Sequence, residues 1–242
     1  GTLKLLAREP GHEHAGYYRR FVLAVRPDIR TEFTGAGIMS ARNGNHELAI
    51  EIFSALEGLF PGDAVTALNL ALAHDGHARA LERSGREEST DAAREAAFEA
   101  YKRALAANPG EPAVHYNLAV FHLHQHVFEK AREHFTTFLG LSDDREKRAE
   151  AHRIVKEIDA QGLADGLFQG AYDRIRMGRE EEGLELTRKL LAGHPDSWHA
   201  WFLLGWACRR LGRWAEGREA FEKVAALGGG GPDPLNELAI CQ

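Results

Sequence analysis

The sequence contains very little cysteine and no long apolar segment. Only Cys208 and Cys241 occur among 242 residues, which is too few for a disulfide framework and is typical of a reducing compartment. No apolar run approaches the roughly 20 residues that span a bilayer. The first residues, GTLKLLAREPGHEH, also lack the apolar core of a signal peptide. We therefore expect no membrane insertion and a cytoplasmic location.

An initiator methionine is missing as well, since the sequence starts with Gly1. We expect the 242 residues to be a piece of a longer chain, so a targeting segment outside them would change the expected location. Neither sign of charge dominates, because 36 acidic and 30 basic residues are interspersed and the net charge is −6. Without a basic field, the sequence predicts no nucleic-acid partner.

Signatures of catalysis are also missing. Neither the phosphate-binding pattern GxxxxGK[ST] nor the nucleophile pattern GxSxG occurs. The glycine run GGGGP at 228–232 lacks the lysine and hydroxyl residue of a phosphate loop, so it reads as the end of a helix. The sequence therefore predicts a protein that is not an enzyme and needs no cofactor.

Histidine is the potential metal-binding residue that the chain has in quantity, with 13 among its 242 residues. In the stretch HYNLAVFHLHQH, the spacing places His115, His122 and His126 on one helical face, and such pairs can bind metal. However, His115 and His122 fall at positions that pack between two helices, and no cysteine or carboxylate joins them at ligand spacing. We therefore predict interior histidines rather than a metal site.

Three landmarks recur along the chain: a small residue, an aromatic residue four positions later, and a proline twelve positions after the small residue. Small residues lie 34 positions apart from Ala97 to Ala131 and again from Gly183 to Gly217. A fixed period of this length indicates a repeat protein. The sets that fit fully or with one substitution are Ala49, Phe53, Pro61; Ala97, Tyr101, Pro109; Ala131, Phe135, Asp143; Gly183, Thr187, Pro195; and Gly217, Phe221, Gly229.

A second pattern precedes each set. Trp201 stands sixteen residues before Gly217 and is followed by Leu204 and Gly205, a spacing that places all three on one face of a helix. This sequence, WFLLGWAC at 201–208, resembles the tetratricopeptide repeat, whose pattern is W-x2-L-G-x2-Y, then A-x3-F, then P, with Cys208 at the usual tyrosine. The resemblance predicts Trp201 as a core residue. It also implies an all-α fold, a right-handed superhelical array (solenoid) of antiparallel helical hairpins.

The period predicts repeat units at 30–63, 64–111, 112–145, 164–197 and 198–231. The second unit has about 14 extra residues within 74–91, predicted as a longer helix or a solvated loop between its two helices, with a functional lid as the alternative. Extra residues after the third unit predict a charged helix at 146–161. We expect two sub-arrays, 30–161 and 162–242, preceded by a degenerate or truncated repeat at 1–29 and ending in an incomplete helix at 232–242.

The resemblance also implies a function, because in this family the first helices of the hairpins line a concave face that holds a peptide or a partner helix. A basic column that includes Arg176 and Arg210 favours an acidic partner segment. Ala113 and Asn117, like Asp165 and Gln169, stand where the family's chaperone-tail clamp has Lys and Arg. Aligning the first helices of the repeat units identifies the candidate groove residues, which are Asn69, Leu72, Tyr116, Asn117, His124, Phe168, Tyr172, Arg176, Phe202, Trp206, Arg209 and Arg210.

We therefore predict a protein-binding module that acts as an adaptor or an assembly chaperone. The alternative is structural self-assembly, or a regulatory repeat region of a larger multidomain protein. Self-association through the C-terminal end is expected if Leu235, Leu238 and Ala239 find no second helix to pack on.

Overall fold

The computed structural model describes residues 2–229 and 232–240, and of 232–235 the backbone alone. Within these ranges every regular element is an α-helix, and the helices follow one another through short connections. They are α1 (Thr2–Arg8), α2 (Ala15–Val25), α3 (Ile29–Arg42), α4 (His46–Leu59), α5 (Ala64–Arg83), α6 (Glu87–Ala107), α7 (Pro112–His124), α8 (Phe128–Leu141), α9 (Arg145–Arg176), α10 (Glu180–Gly193), α11 (Trp198–Arg210), α12 (Trp214–Ala226) and α13 (Pro232–Ile240).

Contacts divide the chain into two compact units, Gly1–Val155 and Lys156–Gln242. In the first unit α3 packs on α4, α5 on α6 and α7 on α8, each as a hairpin. In the second unit α11 packs on α12, and the cluster of Ala171, Ile175 and Leu184 joins the end of α9 to α10. The predicted all-α class, an array of helical hairpins, is confirmed.

Each hairpin places a small residue of its first helix opposite a larger side chain of its second. Phe221 sits so close to Gly205 that a Cβ atom on this glycine would lie 2.8 Å from the ring. Gly37 and Phe53 repeat this arrangement at 2.6 Å. Because a glycine at this point of the first helix leaves room for the ring, the recurring aromatic landmark and the small residue sixteen positions before it have a packing cause. The equivalent pairs, all buried, are Ala71 with Tyr101, Ala119 with Phe135 and Ala171 with Thr187.

Trp201 departs from the prediction that it lies in the core. Its side chain is only half-buried, on the edge of the cluster formed by Phe221 and Val224. Its indole N–H donates to the carbonyl oxygen of Pro195 at 2.7 Å. An indole ring, which has one polar N–H group, suits such a boundary position. Because Trp201 is only half-buried, the substitution Trp201→Ala should lower the free energy of unfolding less than truncation of a fully buried aromatic residue would.

The turn inside each hairpin has one conformation throughout. The second residue after the first helix has a positive φ, and the next amide donates back into the helix, as Arg213 N–H does to the Cys208 carbonyl at 2.8 Å. This is the usual left-handed helix end, which favours glycine. Glycine occupies it in four turns, at Gly44, Gly85, Gly178 and Gly212, whereas His126 occupies it in the α7–α8 turn with φ 59°.

Replacing His126 by glycine is therefore expected to stabilise the protein. A side chain in this conformation costs roughly 1 kcal/mol relative to glycine, so the His126→Gly variant should melt about 2–4 °C higher. Differential scanning calorimetry measures the change, and Gly212→Ala at the equivalent turn should lower the melting temperature. A lower melting temperature for His126→Gly would mean that the His126 side chain contributes more than its backbone strain costs.

The extra residues of the second unit lengthen both helices of its hairpin. The α5 helix has 20 residues and α6 has 21, against 13 and 14 in α7 and α8. The added turns continue the helices up to the short connection Ser84–Arg86, which agrees with the longer-helix alternative.

The helix predicted at 146–161 is longer than expected. It continues to Arg176 and supplies the first helix of the next hairpin, so the predicted boundary after residue 161 falls inside α9, while the contacts divide after Val155. Gly162 and Gly166 do not end it, since a helical glycine costs only about 1 kcal/mol. The Gln161 amide also bridges one turn to the Asp165 carboxylate at 3.0 Å.

The N-terminal segment at 1–29 contains α1 and α2 rather than a complete repeat. Leu6 on α1 approaches α4 so closely that a Cβ atom on Gly58 would lie 2.3 Å from the Leu6 carbonyl oxygen. Leu6 is buried in a cluster with Val22, Ile29 and Leu59. In the part of the chain that the structure describes, none of the helices is long and apolar enough to cross a bilayer.

Candidate partner-binding surface

In the second unit, α9 and α11 bring two aromatic side chains together. Ala171 and Gly205 face the second helices of their hairpins, and successive residues point about 100° apart on a helix. Tyr172 and Trp206, the next residues, therefore turn away from the hairpin interiors. Their ring centroids lie 5.7 Å apart, with Tyr172 39% exposed and Trp206 half-buried. The sequence predicted both as groove residues, and the structure makes them neighbours.

Arg210 borders this aromatic pair, and Arg176 follows Tyr172 by about one helical turn on α9. The Arg210 guanidinium lies 6.0 Å from the Trp206 ring centroid, and its Nε donates to Glu180 at 2.7 Å. The pKa of Glu180 is lowered, first by a hydrogen bond from its own backbone N–H and then by Arg210. Arg176 is largely exposed and lies 3.9 Å from Asp173. We call Tyr172, Trp206, Arg176 and Arg210 the aromatic surface.

The other basic residue predicted here, Arg209, forms an ion pair with Glu237 of α13. Leu238 of the same helix packs on the cluster around Phe221 and Val224. Arg209 is thus engaged by a segment of its own chain rather than presented to a partner. Of the C-terminal residues expected to be uncovered, Leu238 is half-buried, Ala239 is exposed, and the side chain of Leu235 lies outside the described residues.

Two predicted groove residues of the second unit lie elsewhere. Phe202 is half-buried and meets Phe221 of its own hairpin edge-on, with ring centroids 5.8 Å apart. Phe168 is half-buried against Ala164, Leu190 and Ala200. Both rings pack within and between hairpins, because the register of a helix gives the direction of a side chain but not the neighbours that meet it there.

In the first unit, the predicted groove residue Tyr116 is also a packing residue. Its ring lies 5.1 Å from that of Phe138 in α8, and its hydroxyl donates to Glu150 at the start of α9. Burial raises the pKa of Tyr116 to about 12, and Glu150 adds to the shift. The Lys147 ammonium lies 5.2 Å from the ring centroid, so residues of α8 and α9 surround the ring.

The remaining predicted residues of the first unit do not form a common patch of aromatic or charged groups. Leu72 packs against the core of the unit, and Asn69 is half-buried on α5. The Asn117 amide donates to the Ala113 carbonyl one turn earlier at 2.8 Å. His124 is exposed at the end of α7.

Three histidines form a compact cluster between α7 and α8. His115 and His134 share a hydrogen bond between their Nδ1 atoms at 3.2 Å, and His115 Nε2 lies 2.9 Å from the Pro109 carbonyl oxygen. The rings of His122 and His134 stack with centroids 5.7 Å apart. His115 and His122 are buried, in the interior positions that the sequence indicated. Among the residues described, no group of three or more His, Cys, Asp or Glu side chains is placed to hold a metal ion.

Hairpins of this construction, with aromatic residues on the outer face of the first helices, define a helical-repeat interaction protein. Two models of the tetratricopeptide repeat match the chain, over residues 92–146 and 168–232. The chain belongs to the tetratricopeptide repeat family, as the landmark spacing indicated. Such repeats are protein-interaction modules, and neither matching model describes a catalytic domain.

One curated relative is the cytochrome c-type biogenesis protein CycH of Pseudomonas aeruginosa, 30% identical over 122 residues. The match covers 46% of this chain and only 30% of that protein's length.

Solved structures with a similar chain course include PilF of Pseudomonas aeruginosa, with a TM-score of 0.42, 16% identity, and coverage of 88% of this chain and 82% of that one. MamA has a TM-score of 0.37 and 15% identity, covering 83% and 92%. The human IFIT1 dimer with PPP-AAAA has a TM-score of 0.43 and 18% identity, covering 95% and 54%.

Proposed function

We propose that this chain is a non-enzymatic adaptor or assembly chaperone that holds a segment of a partner protein against the aromatic surface. The observation that carries the proposal is the meeting of Tyr172 and Trp206 from successive first helices, 5.7 Å apart, with Tyr172 39% exposed and Trp206 half-buried against the cluster of Ala171 and Ile175. Aromatic rings of this kind bury a large area while few torsions are fixed, so they dominate binding energy at many interfaces.

The charge around the pair specifies the partner's chemistry. Arg176 and Arg210 both carry side chains that are at least a third exposed, and the Arg210 guanidinium lies beside the Trp206 ring. A segment that combines apolar side chains with aspartate or glutamate would bury the apolar side chains against the two rings. Its carboxylates would pair with the two arginines. Because Glu180 already engages Arg210, an incoming carboxylate would share or replace this contact, and its main effect would be on association rate and specificity.

The assembly-chaperone form of this proposal takes its support from the name of one relative, the cytochrome c-type biogenesis protein CycH. The shared segment is short relative to that protein, so the proposal for this chain extends to the holding of a polypeptide partner and not to a particular cargo.

Loss of the two rings is expected to abolish tight binding of such segments. Random peptides displayed on phage and selected on the wild-type chain should be enriched in acidic and apolar residues. The Tyr172→Ala, Trp206→Ala double variant should bind the selected peptides at least tenfold more weakly by fluorescence anisotropy, the loss typical of an interface hot spot. Affinity should also fall with added salt, which screens exposed charges beyond about 8 Å.

Trp214→Ala is the matched control, because Trp214 is 50% exposed on the second helix α12 rather than on a first helix. It should leave peptide affinity within about twofold, the scatter expected for a residue outside the interface. Equal losses for the control and the double variant, at unchanged melting temperature, would refute the aromatic surface as the site. If neither matters and the chain sediments as a dimer at micromolar concentration, self-assembly becomes the better account; Ile240, 56% exposed on α13, would then be its first contact to test.

A further inference from the structure

A cleft in the first unit lies between the extended hairpin of α5 and α6 and the end of α7. It has a volume of about 560 Å3 and is lined by Glu82, Asp91 and Glu95 on one side and by His122, Gln125 and His126 on the other. Glu82 lies in the added turns of α5, and Asp91 follows in the first turns of α6. The extra residues of the second repeat unit therefore build one wall of this cleft.

The cleft is acidic. Three carboxylates line it, on Glu82, Asp91 and Glu95, against the single guanidinium of Arg94, so the lining carries a net charge of −2 with the histidines neutral. Arg94 is engaged by Glu82 at 2.6 Å and by Asp91 at 3.4 Å. Among the described residues Glu95 has no ion-pair partner, and it is exposed. A positively charged group is thus the ligand that the wall favours.

Two buried polar atoms on the opposite side lack hydrogen-bond partners: Nδ1 of His122 and Nε2 of Gln125. His122 is only 9% exposed, and its ring is held edge-on to Phe98 with centroids 5.8 Å apart. Buried polar atoms in folded proteins are nearly always paired, and leaving one unpaired is unfavourable. Gln125 Nε2 is a donor, so a ligand in this cleft would satisfy it with an acceptor, whereas His122 Nδ1 donates or accepts according to its tautomer.

The backbone at this cleft is also unusual. His126 holds the left-handed conformation that glycine holds in the four equivalent turns, and its side chain lines the cleft. Strain of this kind is typical of functional sites, where a side chain is kept although glycine would fit the backbone better.

We propose that this cleft binds a basic side chain of a polypeptide, with the guanidinium or ammonium group at the Glu95 wall and a neighbouring main-chain carbonyl accepting from Gln125. A basic residue within a peptide supplies both groups that the cleft lacks, a cation and an acceptor. A metal ion does not fit, since no three ligating side chains in the described part of the chain are placed for one. The site lies in the first unit and is separate from the aromatic surface of the second.

The test uses Nα-acetyl-L-arginine methylamide, which has a guanidinium and main-chain carbonyls, titrated into the full 15N-labelled chain. Saturable shifts of the Gln125 side-chain amide and of the His126 backbone amide are expected, with millimolar affinity. Nα-acetyl-L-citrulline methylamide has nearly the same shape without the charge. The citrulline probe should bind about fivefold more weakly than the arginine probe, which is the effect of losing one partly exposed charge pair.

Glu95→Gln should weaken binding of the arginine probe by a similar factor of about five, whereas Glu185→Gln, an exposed carboxylate on α10, should leave it unchanged. Equal affinity for the citrulline probe, or an unchanged affinity of the Glu95→Gln variant, would overturn the proposal. Shifts spread over the acidic surface without saturation would also overturn it. Loss of the aromatic surface by Tyr172→Ala and Trp206→Ala should not alter these shifts, so the two sites can fail independently.

Discussion

Replacing Phe221 by alanine is expected to lower the free energy of unfolding of the second unit by about 3–5 kcal/mol, the usual cost of truncating a buried phenylalanine. The side chain is 1% exposed and lies directly over Gly205, and Phe202 meets it edge-on at 5.8 Å. No neighbouring side chain can fill the cavity from the glycine side, because Gly205 has none. Urea denaturation followed by circular dichroism measures the loss.

Trp214→Ala provides the comparison within α12, since this larger ring is 50% exposed. Its truncation should cost less than about 1 kcal/mol, as surface substitutions usually do. If both variants lose the same free energy, the contact between Gly205 and Phe221 is not the interior of the hairpin, and the packing account of the repeat landmarks is wrong.

Acidification is expected to destabilise the first unit between pH 6.5 and pH 4. Burial, with the neighbouring His115 and His122 adding to it, lowers the pKa of His134 to about 4 from its ordinary 6.5. Below pH 6.5 the unfolded chain takes up a proton that the folded chain refuses, so stability falls until about pH 4. The full shift corresponds to more than 3 kcal/mol, and partial solvent exposure reduces the expected loss to about 2 kcal/mol.

Other charged residues near the histidine cluster have smaller effects on the pKa of His134. Burial also lowers the pKa of His122, whereas Glu133 favours the charged form of His134 and Lys130 opposes it. His134→Gln should flatten the dependence of stability on pH in this window while keeping a side chain that can hydrogen-bond to His115. His152→Gln, at an exposed position on α9, should not. A wild-type stability that is constant from pH 6.5 to pH 4 would contradict the predicted effect of the cluster.

The sequence predicted the hairpins well because their packing is local. Gly205 and Phe221 lie 16 residues apart and are in contact, as are Gly37 and Phe53. The contact can therefore be predicted from a fixed spacing in the sequence. The length of α9 was not predictable in the same way. Its charged middle, followed by Gly162 and Gly166, resembles a break, and only the continuation of the backbone into the next hairpin shows that the helix does not end there.

Less of the candidate surface than of the fold follows from the sequence. Register places Tyr172 and Trp206 on successive first helices, since both follow a small interior residue. It does not give the neighbours of Tyr116, Phe168 and Phe202, because these come from other helices that register does not specify. His126 also stands out in the sequence, because four of the five equivalent turns carry glycine at its position.

The pairing of a small residue with a large one inside each hairpin bears on how such chains diversify. Gly205 and Phe221, like Gly37 and Phe53, belong to one hairpin and travel together along the gene. Duplication or recombination at the connections between hairpins therefore transfers a matched interior. A crossover inside the hairpin, between α11 and α12, would join a glycine to a foreign partner. Selection should thus tolerate exchange of whole hairpins and remove exchange of halves.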